Sequence, residues 1–367
     1  MTENATDALT AGRRSSDRHA WREAFEQLSA ADRVTPLGPD DLDRLAEAAW
    51  WQGRLDDCIA ARERAFRAFL NSGERRRAAL VAADLAKHHF AKQASAVGNG
   101  WLSQAERLLT SEDECVERGY LERLRAVIAI EGAGDLETGL ARAERALEIG
   151  TRFADPDLTA LALHDKGRVL VAMGRVAEGT SLMDEASVGA VSGALRPMTT
   201  GVIYCNTIVS CEQLADYRRA AEWTEAARRW CDRQAISGFP GLCRVHRAAV
   251  MRIRGAWSDA EREARRACDE LREFNRGYAA DAFYEVGEGR LLVGDLAAAE
   301  QAFRHAHELG RTPEPGLSLV RLAGGEAGAA ASGLRSALED DALTPLQRAR
   351  LLPARVEIAV ATRQPEV

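Results

Sequence analysis

The chain has 367 residues, 46% of them hydrophobic, with a formal net charge of −7 and a pI near 5.7. An acidic balance argues against these residues gripping nucleic acid, which needs a basic face. No apolar run approaches the roughly 20 residues of a membrane span, and the first residues carry no signal-peptide stretch, so a cytoplasmic location is expected. Seven cysteines, an odd number, suit a reducing compartment without disulfides.

Helical periodicity dominates from end to end, broken by short turns. Taking a turn residue as zero, a pattern recurs at +2, +5, +9 and +12. His19 gives Trp21, Ala24, Leu28 and Ala31; Gly53 gives Leu55, Cys58, Arg62 and Ala65. A degenerate unit follows Gly100, with Leu102, Ala105 and Leu109. Gly134 gives Leu136, Gly139, Ala143 and Ala146; Gly174 gives Val176, Gly179, Met183 and Ala186. Ala215 gives Tyr217, Ala220, Thr224 and Ala227; Gly255 gives Trp257, Ala260, Ala264 and Ala267. Gly294 gives Leu296, Ala299, Phe303 and Ala306; Gly325 gives Ala327, Ala330, Leu334 and Ala337. The spacings between zeros are 34, 47, 34, 40, 41, 40, 39 and 31.

Small residues at +5 and +12 let two helices of a hairpin cross closely, and a large +2 residue is expected to wedge between hairpins. One such hairpin cannot bury its apolar face alone, so the units stack. The pattern predicts an all-α, tetratricopeptide-type right-handed superhelical solenoid of about eight to nine helical hairpins. It would span 1–367 as one body: an N-terminal hairpin at about 5–34, central hairpins over 40–343, and a last helix, 344–362, without a partner. Asp155-Pro156 and Thr344-Pro345 each place an N-cap before a proline at the first helical position, and Pro353 is expected to kink the last helix.

Beyond the generic repeat, longer stretches carry a resemblance. They include DDLDRLAEAAWWQGRLDDCIAARERAF, TGVIYCNTIVSCEQLADYRRAAEWTEAARRWC and GLCRVHRAAVMRIRGAWSDAEREARRAC. From about residue 8 to about 360, the chain resembles the tetratricopeptide-repeat region of actinobacterial LuxR-type transcriptional regulators, related in layout to the MalT-like group. In that family a helix-turn-helix domain follows the repeats, and some members begin with an ATPase domain. This sequence contains no GxxxxGK[ST] phosphate loop, and no basic recognition helix follows residue 340. The resemblance implies a non-enzymatic sensor module that binds a ligand or partner and controls a DNA-binding domain outside these residues. A stand-alone scaffold for protein partners is the alternative, and a biosynthetic enzyme on an α-solenoid a third reading.

The residues point to no catalytic, cofactor-binding or metal-ligating set. Cys58, Cys211, Cys231 and Cys268 fall in apolar repeat slots, where free cysteine packs as a small hydrophobe. Cys205-x5-Cys211 is not a zinc pair, and no HExxH or GxSxG occurs. Trp223 and Trp230 read as packing between hairpins, and Arg75-Arg76-Arg77 as a solvated helix face. One row stands out. Nine residues before successive turns lie Arg125, Asp165, Asn206, His246 and Glu285, all polar, on the first helix of each hairpin. That helix lines the concave side of such a solenoid, with equivalent positions roughly 10 Å apart. Arg168, Tyr204, Arg247, Tyr284 and Glu288 would lie nearby. The expected occupant is a peptide, a partner protein or a small effector; a plain solvated helix face and a homodimer both stay open.

Overall fold

The structure, a computed structural model, describes residues 2–233, 242–341 and 343–362. Among these there are 19 α-helices and no strand. They pair in chain order as hairpins: α1 (Thr2–Asp17) with α2 (Trp21–Val34), α3 (Pro39–Trp51) with α4 (Leu55–Asn71), and α5 (Arg75–Ala91) with α6 (Ser95–Leu109). Then come α7 (Val116–Ile128) with α8 (Leu136–Arg152), α9 (Pro156–Ala172) with α10 (Val176–Ser192), and α11 (Pro197–Gln213) with α12 (Tyr217–Arg233). The last pairs are α13 (Leu242–Ile253) with α14 (Trp257–Leu271), α15 (Arg276–Leu292) with α16 (Leu296–Glu308), and α17 (Gly316–Ala323) with α18 (Ala327–Leu338). Helix α19 (Pro345–Ala361) packs on α18 and runs unbroken through Pro353. This is a tetratricopeptide-type solenoid.

Every hairpin turns on one left-handed residue: His19, Gly53, Gln93, Gly134, Gly174, Ala215, Gly255, Gly294 and Gly325. Each ends its helix as a left-handed C-terminal cap, with the next amide reaching back to a terminal carbonyl (Arg54 N–H to Ala49 O, 3.0 Å). The third turn corrects the sequence reading. Gly100 lies inside α6, and the turn belongs to Gln93, at φ 59°. Counted from Gln93, the pattern gives Gly98 at +5, Leu102 at +9 and Ala105 at +12. The spacings become 34, 40, 41, 40, 41, 40, 39 and 31, so the unit is about 40 residues rather than 34.

Helix contact is closest where the small residues fall. A Cβ on Gly167 would lie 2.6 Å from the Gly179 carbonyl, and one on Gly179 would lie 2.4 Å from the Gly167 carbonyl. Nothing larger than hydrogen fits there. Both expected N-caps form: Asp155 accepts from Leu158 N–H at 2.8 Å, and Thr344 makes a capping box with Gln347. The first helices of successive hairpins touch one another, whereas the second helices share no comparable contact. The first helices therefore form the inner wall, and the second helices splay outward.

The superhelix closes on itself. Trp51, at the turn edge of the second hairpin, meets Trp230 of α12 with ring centroids 6.3 Å apart. Trp50 meets Phe274 at 5.6 Å, and Gln93 Nε2 donates to the Leu309 carbonyl at 2.6 Å. In each case the turn edge of one hairpin sits on the opposite edge of a hairpin four or five units later. Trp230 does pack between hairpins, but across one superhelical turn, whereas Trp223 lies against Tyr204 of its own hairpin. The +2 wedge holds only in part: Trp21 and Leu55 are buried, while Tyr217 and Trp257 are each 42% exposed. Arg75 and Arg76 pair with Glu112, and Arg77 pairs with Glu74 and Asp40, so that run is an ion-paired helix face.

Candidate functional site

The polar row stands on the inner wall, and nearly all of it is partnered. The corrected third turn adds Asp84 to it. Arg125 donates to Glu106 at 2.6 Å. Asp165 is buried, with Arg123 at 2.9 Å and Arg168 at 3.5 Å. Arg168 reaches back to Glu131 at 3.0 Å. His246 Nδ1 lies 3.0 Å from Glu212. Arg252 holds Glu285 at 3.0 Å and Glu288 at 3.3 Å.

The contacts of Arg168, His246, Glu285 and Glu288 obey one rule. A residue nine or six before one turn bonds a residue three before the previous turn. Glu131, Glu212 and Arg252 hold that earlier position. Each bridge ties one inner helix to the next, α7 to α9, α11 to α13 and α13 to α15. Glu131 sits on a π-helical segment, Ala129–Ala133, that ends α7. Charges this enclosed are stable only as pairs. Burial raises the Glu285 carboxyl, and Arg252 opposes the shift. Burial would also raise Asp84, but Arg62 and Lys87 more than offset it and hold it well below the usual range.

Asn206 breaks the ladder. Among the described residues its side chain has no hydrogen-bond partner, and it is only half-buried. In the preceding unit the position three before the turn is Val171, which is buried and apolar, so no bridge can form. Instead α9 and α11 are tied deeper in the wall, where His164 Nε2 and Thr207 Oγ1 lie 2.9 Å apart. Beside Asn206, three more polar atoms are buried without a partner: Glu212 Oε1, His246 Nε2 and Arg247 Nε. Unmade hydrogen bonds of this kind cost about 1–3 kcal/mol each. Together the four groups offer amide, carboxylate, imidazole and guanidinium chemistry on one stretch of wall, α11 to α13.

Two expected residues lie elsewhere. Tyr204 is buried against Trp223 and Trp230, with centroids 5.8 and 5.9 Å away. Tyr284 is buried too: its hydroxyl accepts from Gly316 N–H at 3.2 Å, and the Arg311 guanidinium covers its ring at 4.0 Å. Both serve packing. Arg247 reaches Glu263 at 3.4 Å. A cavity of about 280 Å³ opens at the α10–α12 turns, between Met183, Ser210 and Arg219, and includes no member of the row.

Sequence reasoning missed Arg123, Glu131, Glu212 and Arg252. For Glu131, Glu212 and Arg252 the signal was present three residues before the turn; Arg123 holds no such position. It also missed a thiol contact. Cys58, Cys211 and Cys268 pack in the core, as their slots predict. Cys205, however, lies 3.5 Å from Cys243.

No family model matches this chain, and no curated protein matches it. Among solved structures it is similar to a Rap protein complexed with competence and sporulation factor. The TM-score is 0.53 at 14% identity, covering 98% of this chain and 100% of that one. Yeast Tom70 matches with a TM-score of 0.38 at 12% identity, over 99% of this chain and 96% of that one. The Cut9–Hcn1 hetero-tetramer of APC/C matches with a TM-score of 0.34 at 12% identity, over 94% and 95%. At such identities the likeness to the Rap protein shows the fold, a tetratricopeptide-like helical repeat.

Proposed function

We propose that the solenoid is a binding module whose concave wall takes a peptide or peptide-like polar effector at α11 to α13. The observation that carries this is the gap in the inner-wall ladder. Every charged member of the row is spent on a structural bridge, whereas Asn206 is free beside three unpartnered buried polar atoms. A primary amide matches a peptide backbone, since it donates and accepts at once. The mixed charge of the wall suits a peptide better than a uniform polyanion. The similar Rap structure, a complex with competence and sporulation factor, supports the reading. Selection of a random peptide library on the full chain tests it, with enrichment of a common sequence expected.

The regulatory part rests on the LuxR-type resemblance. Ligand in the groove would bias the closed superhelix, and so present or mask a DNA-binding domain outside these residues. The reading frame beyond Val367 tests this: an encoded helix-turn-helix supports it, and an immediate stop leaves a stand-alone scaffold.

A further inference from the structure

Two thiols from adjacent inner helices meet beside the groove, with a third near them. Cys205 comes from the middle of α11, Cys231 from the end of α12, and Cys243 from the first turn of α13. Cys243 Sγ lies 3.5 Å from Cys205 Sγ. Cys205 is buried, whereas Cys231 and Cys243 are half-buried. The other four cysteines, Cys58, Cys115, Cys211 and Cys268, are buried singly. Among the described residues no group of three Cys, His, Asp or Glu is arranged to hold a metal ion. The arrangement therefore favours sulfur chemistry over coordination.

We propose that Cys243 and Cys205 are an oxidisable thiol pair that closes to a reversible disulfide, tying α11 to α13 beside Asn206. The Cys243 thiolate attacks one peroxide oxygen. An S–O bond forms, the O–O bond breaks, and the departing hydroxide is protonated to water. Cys243 is now a sulfenic acid, oxidised by two electrons. The Cys205 thiolate then attacks its sulfur, the S–S bond forms, and a second hydroxide leaves as water. The sum is two thiols and one peroxide giving one disulfide and two waters. The sulfurs must close from 3.5 Å to about 2.05 Å. The Cys205 contact and burial hold the Cys243 thiol well above its ordinary range, while the Arg247 guanidinium pulls toward the thiolate. The reaction with peroxide is therefore slow, since it runs through a small thiolate fraction.

The test uses the full chain, hydrogen peroxide, differential alkylation and peptide mass mapping. Two of the seven thiols should be lost, a Cys205–Cys243 linked peptide should appear, and dithiothreitol should restore both thiols. Cys243→Ser should abolish the link, and Cys205→Ala should do the same by a second route if Cys243→Ser folds poorly. Cys211→Ser should leave it intact. Seven titratable thiols after peroxide, Cys243 recovered only as sulfinic acid, or a link from Cys231 to Cys243 in its place overturns the assignment. The readout is sulfur chemistry alone, so it stands whether or not the groove takes a ligand.

Discussion

His246 Nδ1 lies 3.0 Å from a Glu212 carboxylate oxygen across the α11–α13 interface, and each residue leaves its other polar atom buried and unpartnered. The same pair thus joins two inner helices and presents unmet hydrogen-bonding capacity. The next bridge along differs, because both of its acids are held by one cation. Arg252→Ala would strand Glu285 and Glu288 without a counter-ion. A loss of about 3–5 kcal/mol is expected, the usual cost of breaking a buried pair from one side. Urea denaturation measures it. A loss under about 1 kcal/mol would show these pairs to be as weak as surface ones.

The third hairpin turns on Gln93, and two glycines report on this. A Cβ on Gly98 would lie 2.5 Å from the Phe90 ring, whereas nothing lies within 4 Å of one on Gly100. Gly98→Ala should destabilise by about 1–3 kcal/mol through overpacking. Gly100→Ala should stabilise by up to about 1 kcal/mol, as an interior helix position. The opposite order in thermal melts would restore Gly100 as the turn.

The closed superhelix makes distant segments depend on each other. Trp51 is fully buried against Trp21 and Trp230. Trp51→Ala should cost about 3–5 kcal/mol. It should also speed amide hydrogen exchange in α12, although that helix is over 160 residues away in sequence. Unchanged exchange there would separate the two turns energetically.

Burial lowers His164 to about 3. Its unfolded value is about 6.5. Between these values the unfolded chain holds a proton that the folded chain lacks. Stability contributed by His164 therefore falls as pH drops below about 6.5, by about 1.4 kcal/mol per pH unit. Glu285, raised by burial, acts with the opposite sign, so the readout must be a difference between variants. His164→Gln should flatten the stability slope between about pH 6 and 5 by about that amount. An unaltered slope would mean that His164 titrates normally.

Much of this was legible in sequence because the repeat is mechanical. Small residues at +5 and +12 mark where helices touch, and turn glycines mark the left-handed caps. Gln93 hid because a non-glycine residue fills that cap, which made Gly100, inside a helix, look like a turn. The inner-wall row was legible, but not its partners, since Glu212 and Arg252 belong to neighbouring units. Tyr204 read as groove and is core, because α12 of its own hairpin covers it with Trp223 and Trp230. Closure depends on the rotation between hairpins, which has no period in the sequence. The Cys205–Cys243 contact joins residues 38 apart, on helices that only the stacking of units makes adjacent.

The groove assignment is tested most directly by titrating one library-selected peptide, by calorimetry, into the wild-type chain and into the Asn206→Ala, His246→Ala double variant. A loss of at least about tenfold in affinity is expected, near 1.4 kcal/mol, with the thermal midpoint of the Asn206→Ala single variant unchanged. Equal affinity for both proteins, with the double variant folded, would contradict a binding site at α11 to α13.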